Sequence, residues 1–143
     1  MKIVIIDGQG GRMGRVIMEQ LLEQGADQKA ELIAVGTNGI ATAAMMKAGA
    51  ALGATGENPV IVACRDADII IGPIGIVVAD SLLGEVTPAM AQAVGQSKAK
   101  KFLLPVSRCN TTVVGIKALP MADLVKECVE QVMKLLPGKA VLL

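Results

Sequence analysis

Residues 2–14, Lys-Ile-Val-Ile-Ile-Asp-Gly-Gln-Gly-Gly-Arg-Met-Gly, constrain the fold more than any other stretch. An apolar run long enough for one buried strand breaks into glycines at 8, 10, 11 and 14, and an amphipathic helical pattern follows. Glycines let a backbone turn sharply and approach a ligand with no Cβ in the way. The helix that opens there leaves its first N–H groups unpaired, and its dipole favours negative charge at that end. A strand delivering its chain through glycines onto a helix N-terminus is the usual cradle for a phosphate group.

Further pattern along the chain repeats this alternation. Lys2–Asp7 reads as a strand and Arg12–Gln24 as a helix. Met13, Val16, Ile17, Leu21 and Leu22 form its apolar stripe, and Gly25 is its stop. Glu31–Gly36 reads as the second strand and Ile40–Ala48 as the second helix. Gly49–Gly56 has room for a short strand around Ala51–Ala54. Asn58-Pro59 suits an N-cap followed by proline at the first helical position, opening a helix over Pro59–Arg65. Val60-Ile61-Val62 suits a strand equally well. Asp68–Gly72 is the clearest central strand. Thr87-Pro88 opens a helix to about Lys98, and Pro120 opens the last one, which Pro137-Gly138 ends. Lys101–Val106 and Thr111–Ile116 read as two strands joined by the turn Ser107–Asn110. Such a connection is too short for a parallel crossover, so it implies an antiparallel hairpin at one edge. The expected class is α/β: a three-layer, Rossmann-like, mostly parallel sheet in one domain spanning residues 1–143.

Composition narrows the chemistry. The chain has no His, Trp or Tyr and a single aromatic residue, Phe102. Its core must therefore be aliphatic, which suits parallel strands covered on both faces. A net charge of +1 with dispersed cations, and almost no aromatic surface, excludes a nucleic-acid platform. Cys64, Cys109 and Cys128 lie far apart, and without His they make no zinc set, so no metal is expected. Free thiols fit a reducing cytoplasm. The longest apolar stretch, Ile69 to Ala79, falls short of the roughly 20 residues that a membrane span needs. High apolar content also points to a homo-oligomeric contact.

In a parallel α/β sheet, ligands bind beyond the carboxyl ends of the strands at the topological switch point. Four loops are expected there: Gly8–Gly14, Gly36–Gly39, Gly72–Gly75 and Ser107–Asn110. The candidate binding residues are Asp7, Gly8, Gly10, Gly11, Arg12, Met13, Gly14, Thr37, Asn38, Gly72, Gly75, Ser107 and Arg108. Gly8–Gly14 would hold phosphate, and Thr37 and Asn38 a sugar. Gly72–Gly75 would let the ligand pass close to backbone, and Arg108 would add a cation. Asp7 has two readings, a ligand-binding carboxylate or a tether for loop amides. Cys109 beside Arg108 is either an activated thiol or a passive one, and no His is present to activate it. No acidic residue follows the second strand at Gly36-Thr37-Asn38, where dinucleotide folds often place one for the ribose. The other cysteines read as packing.

The loop Gly8, Gly11, Arg12, Met13, Gly14 resembles the dinucleotide loop of dihydrodipicolinate reductase. That likeness implies an NAD(P)-type ligand, with Gly8 at the turn, Gly11 against the pyrophosphate and Arg12 near the ligand. The catalytic histidine pair and substrate domain of that enzyme have no counterpart here. Over most of its length the chain resembles a family of short bacterial proteins with a domain of unknown function. The likeness rests on Ile5–Gly11, Ala34–Asn38, Gly53–Asn58, Cys64–Gly75 and Pro105–Asn110, and it implies no activity. The reading is a protein binding a small phosphate-bearing ligand, a nucleotide or a dinucleotide such as NAD or NADP. The alternative is a non-catalytic sensor or oligomeric module without a nucleotide.

Overall fold

A computed structural model describes residues 1–106 and 110–138. Five strands, β1 (Lys2–Asp7), β2 (Glu31–Gly36), β3 (Leu52–Thr55), β4 (Ile69–Pro73) and β5 (Lys100–Leu104), form one sheet in the order β3-β2-β1-β4-β5. Every pairing is parallel. The helices are α1 (Arg12–Glu23), α2 (Gly39–Lys47), α3 (Glu57–Asp66), α4 (Pro88–Gln96) and α5 (Met121–Leu135).

Alternation along the strands builds two cores, because successive side chains leave opposite faces. Ile3, Ile5, Leu32, Ala34, Ile69 and Ile71 pack with Ile17 and Leu21 of α1, Met45 of α2, and Val125, Val129 and Val132 of α5. Val4, Ile6, Val35 and Ile70 pack with Val60 and Cys64 of α3 and Met90 and Val94 of α4. The three-layer α/β arrangement follows.

The expected antiparallel hairpin is absent among the described residues, and the structure corrects that expectation. β5 ends at Leu104. Pro105 has no N–H to give a ladder, and Val106 donates its own N–H back to Leu104 O at 2.9 Å, which curls the chain off the sheet. Residues 111–116 form no strand. Val114 there is exposed, and Gly115 turns with φ +87°.

The start of α3 also moves. α3 begins at Glu57 behind Gly56, whose φ of 108° only glycine adopts readily, so Asn58 is inside the helix rather than its cap. Pro59 is still in the first turn, where no N–H is needed. Val60-Ile61-Val62 is helical, with Val60 and Cys64 buried one turn apart. Thr87 caps α4 as expected, accepting from Met90 N at 3.1 Å.

Candidate functional site

The sheet order reverses direction between β1 and β4, which makes their carboxyl ends the switch point. A cavity of about 230 Å³ opens there. One wall is the β1–α1 turn from Asp7 to Met13. Facing it are Pro73 at the end of β4, Gly75 just beyond it, Leu82, Val106 after β5, and Met121 at the start of α5. One side is thus backbone and Arg12, and the other is largely aliphatic.

Packing within the chain accounts for three of the four glycines in this turn. A Cβ on Gly8 would lie 2.6 Å from Thr37 Oγ1 and 2.8 Å from Leu82 Cδ1. Gly11 has φ +70°, and a Cβ there would meet Ala41 Cα of α2 at 2.7 Å. At Gly14 it would meet Met45 Sδ at 2.6 Å and Asp7 Cβ at 2.9 Å. Of the four, Gly10 alone faces open space, with no atom of the described residues within 4 Å of its Cβ position. Gly10 is the glycine in this turn that leaves room for a ligand.

Asp7 is a tether. Its buried carboxylate accepts Gly8 N on Oδ1 at 2.8 Å and Gly14 N on Oδ2 at 2.7 Å. Burial pushes its pKa above the ordinary carboxylate value; the two N–H groups pull the other way, and the charge of Glu85 adds to the rise. Because Gly14 N is taken, the helix geometry leaves the N–H groups of Arg12 and Met13 as those without partners inside α1.

Thr37 and Asn38 stand at the same sheet edge but do not line the cavity. Both are engaged by Glu85, a residue that reading along the sequence did not single out. Its Oε1 accepts Gln9 N at 3.0 Å, Thr37 Oγ1 at 2.8 Å and Asn38 Nδ2 at 2.5 Å. Asn38 Nδ2 also donates to Gln9 O at 2.9 Å, while its Oδ1 caps α2 by accepting Ala41 N at 2.9 Å. Burial pushes the Glu85 carboxyl up, but the bonds from Gln9, Asn38 and Thr37 outweigh it and hold the pKa below its usual value.

Glu85 belongs to a strap between β4 and α4. After a 3₁₀ turn over Ile74–Val77, residues 78–86 loop over the end of β1. Asp80 N donates to Val86 O at 2.7 Å and closes the base of the loop, and Ser81 Oγ donates to Gly75 O. Asp80, Leu82 and Leu83 all have left-handed backbone angles, at φ 64°, 55° and 57°. Side chains rarely adopt such angles, so the surrounding bonds must impose them. The only nearby sequence signal for this is the glycine at 84.

Of the other expected residues, Gly75 lines the cavity and Gly72 does not. A side chain at Gly72 would strike Ile6 O of the neighbouring strand, so that glycine serves strand packing. Ser107 and Arg108, and Cys109 beside them, lie outside the described residues. Cys64 and Cys128 are packing residues, with thiols pushed up to about 11 by burial. Among the described residues, no group of three or more His, Cys, Asp or Glu is placed to hold a metal ion. No helix among them is long and apolar enough to cross a membrane.

No curated protein matches the chain. A solved structure similar to it is that of a dodecameric FMN-dependent UbiX-like decarboxylase from Escherichia coli O157:H7. The two share 16% identity with a TM-score of 0.44, over 92% of this chain and 75% of that one. A family model matches residues 2–137 and carries the description "Domain of unknown function (DUF3842)". With nearly its whole length matched, the chain belongs to that family.

Proposed function

We propose that this protein binds a small phosphate-bearing ligand in the switch-point cavity. The phosphate would rest on the Gly10–Met13 turn, and a compact apolar body would face Leu82, Val106 and Met121. The cavity itself carries the reading: about 230 Å³ between a glycine-bearing helix N-terminus and an aliphatic wall. Arg12, exposed at the rim, supplies a cation. A full dinucleotide such as NAD or NADP would need the β2 tip as well, where Thr37 and Asn38 already bond to Glu85.

Thermal shift and titration calorimetry with orthophosphate, small phosphate monoesters, mononucleotides and NAD(P) test the proposal. A true ligand raises the melting temperature in proportion to its saturation. Gly10→Glu places a carboxylate in the open space without disturbing the turn, and it abolishes that shift. A shift that survives Gly10→Glu, or no shift across the whole set, overturns the reading.

A second reading, self-association, is favoured by one surface. Met46 of α2 is 38% exposed and lies over Gly53 of the uncharged edge strand β3, where Leu52 is 51% exposed. Apolar side chains along an unguarded strand edge suit pairing with a second copy about a two-fold axis. Light scattering on wild type and Leu52→Lys decides it: a dimer that the lysine dissociates supports the contact, and a wild-type monomer sinks it.

A further inference from the structure

Three features meet over Gly8, and together they define the ligand that the site rejects. First, the β2 tip is saturated from within. Thr37 Oγ1 and Asn38 Nδ2 both donate to Glu85, and Asn38 Oδ1 accepts from Ala41 N, so the donors that would hold a sugar at this tip are already committed. Second, Leu82 Cδ1 lies 2.8 Å from the Cβ position of Gly8 and covers the surface that a pyrophosphate would cross between the β4 side and the β2 side. Third, Glu85 brings a negative charge to Gln9 N, on that same crossing. A dinucleotide stretched across the switch point would meet a steric cover, a like charge and exhausted donors in turn.

We propose that Glu85 is the specificity-determining residue of this site, confining the cavity to ligands with a single phosphate group and excluding adenine dinucleotides. The inference rests on the phosphate reading of the cavity. Glu85 acts as a resident anion: its carboxylate takes the three donors that an external sugar or phosphate would otherwise use. Removing it frees Thr37 Oγ1, Asn38 Nδ2 and Gln9 N, and takes a charge off the crossing. An extended ligand then gains a second anchoring point at the β2 tip.

The test is calorimetric titration of NAD into wild type, Glu85→Ala and Glu85→Gln. Glu85→Ala is expected to bind NAD at least tenfold more tightly than wild type. Glu85→Gln keeps the side-chain shape and loses the charge, and is expected to gain at least threefold. Should Glu85→Ala fail to fold, the threefold gain in Glu85→Gln decides alone. NAD affinity within threefold of wild type in every variant that folds overturns the proposal. Orthophosphate titrated into wild type and Gly10→Glu separates this failure from failure of the cavity reading. Orthophosphate bound by wild type and lost in Gly10→Glu, with no NAD gain, leaves the cavity and removes the role of Glu85. An NAD gain in Glu85→Ala that adding Gly10→Glu does not diminish puts the dinucleotide outside the cavity and overturns both readings.

Discussion

Asp7 Oδ2 accepts the N–H of Gly14 at 2.7 Å, so the end of β1 is fastened to the first turn of α1 by a carboxylate already bonded to Gly8 N. The chain uses its own anion where a helix N-terminus would otherwise wait for one. Asp7→Ala leaves two buried N–H groups without that partner and should destabilise the protein by about 2–4 kcal/mol in urea unfolding. Asp7→Asn should also destabilise it, because one amide then faces a side-chain NH₂. Wild-type stability in both variants would contradict the tether.

The glycines of the turn should separate sharply. Gly11→Ala forces a side chain into a left-handed backbone and against Ala41, and should cost about 1–3 kcal/mol. Gly10→Ala, with open space and no left-handed φ, should stay within about 0.5 kcal/mol of wild type. Paired denaturation curves check the contrast.

The pKa values of Asp7 and Glu85 should be displaced in opposite directions. The folded pKa of Asp7 is raised, so its contribution to stability is full below the unfolded value, about 3.9, and is lost as pH rises through the folded pKa. That of Glu85 is lowered, so its contribution is present above about 4.3 and is lost as pH falls through the folded pKa. Carboxyl-carbon NMR titration reads both midpoints. The melting-temperature difference between wild type and Glu85→Gln should shrink on acidification. A difference that grows as pH falls would contradict the assignment.

Leu83 is 96% exposed with φ 57°, so its side chain gains nothing from burial and its backbone is strained. Leu83→Gly should raise stability by about 0.5–1 kcal/mol, the relief of the left-handed angle exceeding the extra freedom of the unfolded chain. Thermal unfolding measures it, and a lower melting temperature would show that the leucine is held by something more than its neighbours in the loop.

Much of the fold was legible because its signals are local. β1 and β2 run over the residues expected, and the stripe of α1 is buried through Met13, Ile17 and Leu21. The hairpin misled because Thr111–Ile116 has strand composition, while what decides its fate is the turn of Pro105 and Val106 off the sheet. Glu85 was invisible for another reason: its partners Thr37 and Asn38 lie 48 and 47 residues away, and an isolated glutamate in a loop carries no pattern. The glycines of the first turn were legible as necessary, but close approach of a ligand and close approach of a helix call for the same residue. At Gly11 and Gly14 the approaching group is α2.

The bond between Asp80 N and Val86 O makes residues 81–85 a lobe whose two ends already touch. Its length is therefore not dictated by the sheet beneath it, and inserting residues there adds only a slowly growing loop entropy. The lobe is an exchangeable cassette. Longer or shorter versions can join the same two ends with the five strands unchanged, provided that Leu82 keeps its packing on the core beneath.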